Sequence, residues 1–468
     1  MGASALRTGT VVRYAIGSVG TGGFGTLPGL VLLIYMTNTL GVDPGFAGIA
    51  FTVAKIWDVV IDPWIGARSD RSLARTGSRR RFMVLGAILL PVFFVLTFAV
   101  PPGLPAPVSA AWVLVGFLLA ATAFSLFQVP YIALPAELVS SYDQRTRLLS
   151  ARVIVLTLAI LAFGGGAPEL VKLGADEYQG YLIMAAAAGV IFLVAFLITS
   201  TVEKSAHVGT VPVAPGSDPI TGLDAPQTGL LMHFRRGWSA VRDSQPYRAL
   251  LFTFVVQALA IGLMLAGVAY VAFDVLHLEG TLFLFLSLIA PAIVFTPLWS
   301  FVSSRIGKER AFAIATVVFA IAAGALVLML WYPGEWVFAP VAIAGAAYAG
   351  LQSLPLAMLP DTVAHDAVAH GPGRAGTFSG VWTAGETAGL AFGGTILSIV
   401  LAVTAFIPTV GDEVVQQPAS AITGIVLAFS VIPAVLMLLS LISLARYPLR
   451  KADIDALVRD EPAPPVLP

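Results

Sequence analysis

The chain has 468 residues, of which 58% are hydrophobic and 11% charged, with equal numbers of acidic and basic side chains and no cysteine. A soluble domain carries about 25% charged residues, so lipid must serve as solvent for much of this apolar surface. Zero net charge removes any global electrostatic case for nucleic acid as a partner, and the missing cysteines exclude disulfides, thiolate zinc sites and cysteine nucleophiles.

Arg7 and Arg13 precede the first apolar run, which continues to about Leu40. That run is long enough to span a bilayer, so it is expected to be a retained helix and not a cleaved signal peptide. Apolar stretches then recur, predicting twelve helices at about 14–40, 45–67, 82–100, 109–138, 148–166, 179–200, 247–275, 281–303, 311–332, 336–358, 376–406 and 421–445. The expected fold class is an all-α membrane protein. Its expected organisation is a six-helix bundle over 1–200, a cytoplasmic linker over 201–246, a second six-helix bundle over 247–446 and a cytoplasmic tail over 447–468. The linker holds the Pro- and Gly-rich stretch Val211-Pro212-Val213-Ala214-Pro215-Gly216-Ser217-Asp218-Pro219.

Positive charge orients the helices. With both termini cytoplasmic, the cytoplasmic segments hold Arg68, Arg71, Arg75, Arg79, Arg80, Arg81, Arg145, Arg147, Arg235, Arg236, Arg242, Arg248, Arg305, Lys308, Arg310, Arg446, Arg450 and Lys451, while the opposite face has Lys172 alone. The two halves also resemble each other. Asp62-Pro63-Trp64 leads into Gly66 and a basic loop, as Thr296-Pro297-Leu298-Trp299 leads into Ser303, Arg305, Gly307, Lys308 and Arg310. Pro130-Tyr131-Ile132-Ala133-Leu134-Pro135-Ala136-Glu137 matches Pro355-Leu356-Ala357-Met358-Leu359-Pro360-Asp361, and the two offsets, 234 and 225 residues, are each close to half the chain. Such a repeat is the signature of transporters that rock two bundles about a midplane site.

Few ionisable residues fall deep in the predicted spans: Lys55, Asp58, Asp62, Arg152 and Glu386. A charge near the bilayer centre costs ~2.5–3.5 kcal/mol by insertion scales, so these side chains must face a bundle interior or a watery cavity. Lys55, Asp58 and Asp62 share one stripe of helix 2. Two carboxylates a turn apart require something positive near them, whether a proton, a cation such as Na⁺ or a basic side chain. A coupling site is one reading, and a structural ion pair with Lys55 is the other. Glu386, alone on helix 11, suits a proton or substrate partner or a hydrogen-bonded structural acid. Arg152, expected near the start of helix 5, suits a substrate anion, a pair with Asp58, or snorkelling to the surface.

Gly20-Thr21-Gly22-Gly23-Phe24-Gly25 on helix 1 resembles a dinucleotide loop, but no strand precedes it. Close helix packing or room for a ligand explains it better. Gln128, Gln257 and Gln352 are neutral polar groups in spans, suited to interhelical hydrogen bonds or substrate contact. His207, His233, His277, His365 and His370 fall in predicted loops and are expected to be solvated. No motif brings together a nucleophile, a base and an orienting group, so neither enzymatic chemistry nor a bound cofactor is expected.

Gly66-Ala67-Arg68-Ser69-Asp70-Arg71 and Gly77-Ser78-Arg79-Arg80-Arg81 resemble the loop between helices 2 and 3 of the major facilitator superfamily, whose charges bridge neighbouring helix ends. Lys55-Ile56-Trp57-Asp58-Val59-Val60-Ile61-Asp62-Pro63 sharpens the resemblance. It is similar to the helix 2 motif of the glycoside–pentoside–hexuronide cation symporters, the family of melibiose permease. Pro130-Tyr131, Arg145-Thr146 and Gly376-Thr377-Phe378-Ser379-Gly380-Val381-Trp382 extend the likeness along the chain.

The resemblance implies a major facilitator fold with twelve helices in two pseudo-symmetric bundles. It implies a coupling cation, Na⁺ or H⁺, held by Asp58 and Asp62 with the helix 4 hydroxyl of Ser125, and substrate contact by Arg152. The conformational loop would be Gly66, Asp70 and Arg71. Two departures matter. Gly22 and Gln128 occupy the positions of the family's sugar-binding aspartates, and Glu386 stands where the family has a lysine. The expectation is therefore cation-coupled symport of a small organic solute, glycoside or related, surrounded by Gly22, Gln128, Arg152, Gln257, Gln352, Trp382 and Glu386. Proton-driven efflux, transport of a lipid-like amphiphile and a non-transporting receptor or scaffold are the alternatives. The protein is expected to work as a monomer in the plasma or inner membrane.

Overall fold

Lipid offers no hydrogen bonds, so each spanning segment must pair its own backbone groups, which a helix does. The computed structural model describes residues 8–138, 142–202, 241–370, 375–410 and 415–450. Among these, regular structure is helical apart from one antiparallel bridge between Leu40 and Val410. The helices are α1 (Thr8–Leu27, prolonged by π turns to Thr39), α2 (Pro44–Thr76), α3 (Arg80–Phe98), α4 (Ala106–Leu138), α5 (Tyr142–Val171), α6 (Glu177–Ser200) and α7 (Gln245–Tyr270). They continue as α8 (Leu282–Ile306), α9 (Lys308–Ala325), α10 (Phe338–His370), α11 (Ala375–Val403), α12 (Ala419–Phe429) and α13 (Val431–Leu444), the last two forming one span broken at Ser430.

Among the described residues, eleven segments are long and apolar enough to cross a membrane. The twelfth helix, α2, has 33 residues, and Lys55, Asp58 and Asp62 interrupt its apolar run. Local chemistry sets the ends. Asp43 accepts a hydrogen bond from Gly45 N at the start of α2, where Pro44 occupies the first turn. Gly77 closes the same helix at φ +67, its N–H reaching Leu73 O. Asp176 caps α6 by accepting from Gln179 N.

Several helices outrun their apolar stretches. α2 continues to Thr76, α5 starts at Tyr142, and α10 continues to His370. Gly66, Asp70 and Arg71, expected in a loop, therefore lie on α2. His365, also expected in a loop, is on α10 and half-buried. Hydropathy marks where a helix meets lipid, whereas backbone pairing continues as far as capping allows. His277 is exposed in the turn after α7 with φ 52. His207, His233 and the side chain of His370 lie outside the described residues, as does the expected linker between 203 and 240.

The chain forms two compact units. One comprises residues 1–213, Gly262–Leu286 and Ala391–Ala428; the other comprises residues 214–261, Ser287–Leu390 and Phe429–Pro468. The boundaries fall inside α7, α8, α11 and α12. In the first unit, Phe24 packs among Phe94, Phe117, Phe124 and Phe192, and Phe127 stacks on Phe196 at 3.6 Å. Such pairs add about 0.5–1.5 kcal/mol each beyond the area they bury.

The end of this unit farthest from the Gly77 turn is built from both halves of the sequence. Thr37 Oγ1 and Tyr270 OH are 2.7 Å apart, and Thr409 N donates to Thr37 O at 2.9 Å. Thr52 and Thr395 share a 2.5 Å hydroxyl hydrogen bond between α2 and α11. A Cβ on Gly48 would overlap Ser398 Oγ, and one on Gly394 would stand 2.7 Å from the Phe51 ring. Small residues thus let α2 and α11 meet nearly backbone to backbone.

Gly48→Val must push these helices apart and is expected to lower stability by about 1–3 kcal/mol. Gly25→Ala has nothing within 4 Å of its added carbon and is expected to cost nothing. Thermal unfolding of the two purified variants in one detergent checks both outcomes.

Candidate functional site

In the first unit, the polar side chains of α1, α4 and α5 gather around Tyr131. Its ring stacks on Tyr14 at 4.7 Å, and its hydroxyl donates to Tyr14 O at 3.0 Å and lies 2.9 Å from Ser18 Oγ. The Arg152 guanidinium sits over the same ring, 5.4 Å from its centroid. With α5 beginning at Tyr142, Arg152 lies about three turns inside the helix and not near its start. The ring contact, not snorkelling, positions it.

The Tyr14 hydroxyl interacts with Tyr131 and Arg152, and three atoms on these helices are shielded from solvent without a hydrogen-bond partner among the described residues: Thr21 Oγ1, Gln128 Oε1 and Arg152 Nε. Each such group costs about 1–3 kcal/mol unless something pairs with it. Three of them, one each on α1, α4 and α5, are unmet donors and acceptors suited to a hydroxylated ligand. Gln128 and Arg152 were expected here from the sequence. Tyr14, Ser18 and Thr21 were not, because hydroxyl residues in an apolar helix give no periodic signal. Tyr131 stood in the Pro130-Tyr131 motif without an assigned role.

Gly22 does something else. A Cβ there would lie 3.0 Å from both Leu156 O and Ala159 Cβ, so Gly22 is the seat on which α5 crosses α1. The missing side chain at this expected substrate position is required by helix packing. Gly23, whose added carbon would stand 2.6 Å from the Phe163 ring, serves the same crossing.

The carboxylate helix is tied to α4. Trp57 Nε1 donates to Thr122 Oγ1 at 2.9 Å, one turn before the buried Ser125. Asp62 is half-buried with its Oδ1 shielded from solvent. The side chains of Lys55, Asp58 and Asp70 lie outside the described residues. Among the described residues, no cluster of three or more His, Asp or Glu is placed to hold a metal ion.

At the other end of α2, Arg79 is 8% exposed and donates to Ser69 Oγ at 2.8 Å, while Ser69 also bonds Gly66 O at 2.9 Å. Arg68 lies 3.6 Å over the Trp64 ring, and Arg71 is exposed. Ser69 and Arg79 therefore brace this turn together with the carbonyl of Gly66.

The second unit has its own polar group on α7, α10 and α11. Trp382 stacks on Phe254 at 4.2 Å, and its indole Nε1 is shielded without a partner among the described residues. Gln352 Nε2 donates to Tyr348 OH at 2.7 Å, and Tyr348 lies within electrostatic range of the half-buried Glu386. Gly385 and Gly389 flank Glu386 and bring α11 against α7; added carbons there would stand 2.8 Å from Val255 Cγ2 and 2.7 Å from Ala258 Cβ. Gln257 is different. It is 1% exposed, and its Nε2 donates to both Thr316 Oγ1 and Ser440 Oγ at 3.0 Å. With both N–H bonds committed to α9 and α13, Gln257 braces these helices, while its Oε1 is shielded from solvent without a partner among the described residues.

The sequence matches the family model described as MFS/sugar transport protein over residues 13–451. YagG of Escherichia coli (strain K12), named for glycoside/cation symport, is 28% identical over 44% of this chain and 45% of its own, so that alignment spans less than half of the relative. The glucuronide carrier protein homolog of the same strain is 26% identical over 96% of this chain and 94% of its own. The isoprimeverose transporter of Lactiplantibacillus pentosus is 28% identical over 36% of this chain and 36% of its own. Among solved structures, one reporting substrate recognition in proton-dependent oligopeptide transporters superposes with a TM-score of 0.65 at 12% identity, covering 96% of this chain and 99% of that one. The nucleoside transporter NupG gives 0.60 at 12% identity over 94% and 98%. At such identity these structures establish the fold alone. The chain thus has the major facilitator fold and belongs to the MFS/sugar transport protein family of multi-pass membrane transporters, in its glycoside–pentoside–hexuronide branch.

Proposed function

We propose that this protein is a cation-coupled symporter of a small hydroxylated solute, a glycoside or related compound, working by alternating access with Na⁺ or H⁺ as the coupling ion. The observation that carries this reading is the set of three unmet polar atoms on α1, α4 and α5, which offers donors and acceptors to sugar hydroxyls. The relatives named for glycoside, glucuronide and isoprimeverose transport support the same substrate class.

Arg152 and Tyr14 donate to the solute, while Gln128 accepts from it. Taken by itself, the second unit carries candidate polar groups of its own, the shielded Trp382 N–H and the Gln352 amide steadied by Tyr348. Asp58, Asp62 and the Ser125 hydroxyl hold the cation. Its charge offsets the repulsion of two carboxylates on one stripe, so cation binding stabilises the arrangement of α2 that the solute requires. The bundles over 1–200 and 247–446, joined by the 201–246 segment, are the moving parts. The excess of arginine on one set of loops sets both termini in the cytoplasm of a plasma or inner membrane, and the working form is the monomer. Glu386 favours a second reading, proton-driven movement of an amphiphile. The sodium-dependent lysophosphatidylcholine symporter 1-B of Danio rerio, 29% identical over 32% of this chain, shows that a relative can be named for such cargo.

In proteoliposomes, Asp62→Asn and Asp58→Asn are each expected to reduce cation-driven accumulation of a responsive glycoside, pentoside or uronide to the level of empty vesicles, with the melting profile kept. Normal uphill uptake by either variant would sink the coupling assignment. Arg152→Gln is expected to raise KM about 10–100-fold, the size of a lost charged hydrogen bond. Gln257→Leu is expected to lower stability by about 1–3 kcal/mol and leave KM unchanged. Uptake kinetics and thermal unfolding of the same preparations separate the site residue from the brace.

A further inference from the structure

The start of α3 carries a feature that transport does not use. Three arginines stand in a row, and only the first turns inward: Arg79 is buried against Ser69. Arg80 and Arg81 instead line an open groove of about 440 Å³ together with Ser78, Val84, Leu85 and Ile88. Both charges on this lining are positive. Arg80 Nε is shielded from solvent without a partner among the described residues, and the Ser78 hydroxyl accepts from Arg80 N at 3.1 Å, fixing the turn.

The groove continues in an apolar direction. Arg81, Leu85, Ile88 and Val92 are spaced at four, seven and eleven residues, one stripe along the helix. All four are exposed, the last three at 48%, 50% and 58%. This stripe runs down a segment that spans the membrane from Arg80 to Phe98. A side chain on it faces hydrocarbon, and its upper end meets the plane of the phosphates.

We propose that this groove binds an anionic phospholipid of the adjoining leaflet. Its phosphate lies on the Arg80 and Arg81 guanidiniums, and one acyl chain lies along Leu85, Ile88 and Val92. Guanidinium pairs bind phosphate oxygens in a planar, two-point fashion. A soluble phosphate would use the charges and leave the apolar wall unused. A zwitterionic lipid would use the wall while its own cation opposed the two arginines. An anionic lipid matches both parts, and its attraction belongs to the general affinity of basic juxtamembrane segments for acidic leaflets.

The test is thermal unfolding of the full-length, delipidated protein in detergent, titrated with phosphatidylglycerol, with phosphatidylcholine of the same chains, and with inorganic phosphate. The expected result is a saturable rise in melting temperature with phosphatidylglycerol, and none with phosphatidylcholine or inorganic phosphate. The rise should vanish in Arg80→Gln/Arg81→Gln and persist in Arg75→Gln, which removes an exposed charge one turn from the groove. Should the double variant fail to fold, Leu85→Gln/Ile88→Gln keeps both charges and is expected to weaken the phosphatidylglycerol shift at least tenfold in half-saturating concentration. An equal shift with inorganic phosphate, an equal shift with phosphatidylcholine, or a full shift in either variant of the groove overturns the proposal.

Discussion

A carboxylate inside a bilayer must be answered by something positive, and much of this molecule is arranged around that requirement. α2 carries two acids and a lysine on one stripe, where each uncompensated charge costs ~2.5–3.5 kcal/mol. The helix cannot present that stripe to lipid, so it has to be held inward. Trp57 bonds Thr122 on α4, and Thr52 bonds Thr395 on α11, fixing α2 on two sides. Its ends are fixed as well, by Asp43 at one and by Gly77 at the other. A helix this polar is stable in a membrane only as part of such an assembly.

Holding helices so close needs small side chains. Where α1 crosses α5, α2 crosses α11, and α7 crosses α11, the contact points are Gly22, Gly48, Gly389 and Gly394. Apolar area drives little helix association in lipid, because the tails are as apolar as leucine. Close approach and hydrogen bonds must supply the energy instead. The same crossings are therefore places where two helices can part without breaking a large apolar interface. That property suits a transporter, which has to exchange contacts at one end of its bundle for contacts at the other.

Much of the fold was legible because lipid imposes a coarse rule. Twelve apolar stretches were read as helices; eleven segments among the described residues are long and apolar enough to span, and the twelfth, α2, is a 33-residue helix whose charges interrupt its apolar run. The helix ends were less legible. α2, α5 and α10 extend beyond their apolar runs into stretches where helical pairing continues in water, and these stretches hold Arg71 and His365. At the site, Gln128 and Arg152 were legible as polar residues in apolar context. Tyr14, Ser18 and Thr21 were not, since each is ordinary in a helix and acquires meaning only from the neighbours that other helices bring.

The two glutamines show what sequence alone leaves undecided. Gln128 and Gln257 look alike as single amides in long apolar helices, and both were read as substrate contacts. In the structure, Gln257 spends both N–H bonds on Thr316 and Ser440, side chains supplied by other helices at hydrogen-bonding distance. The carbonyl oxygens of both amides, Gln128 Oε1 and Gln257 Oε1, are shielded from solvent without a partner among the described residues. Burial costs each amide its desolvation, and Gln257 recovers the donor part of it within the protein. A neighbouring helix that places a hydroxyl opposite an N–H turns an amide into a brace between helices. Polarity in a membrane helix thus identifies candidates, and the partners that other helices supply to each donor and acceptor decide what the side chain can still offer a ligand.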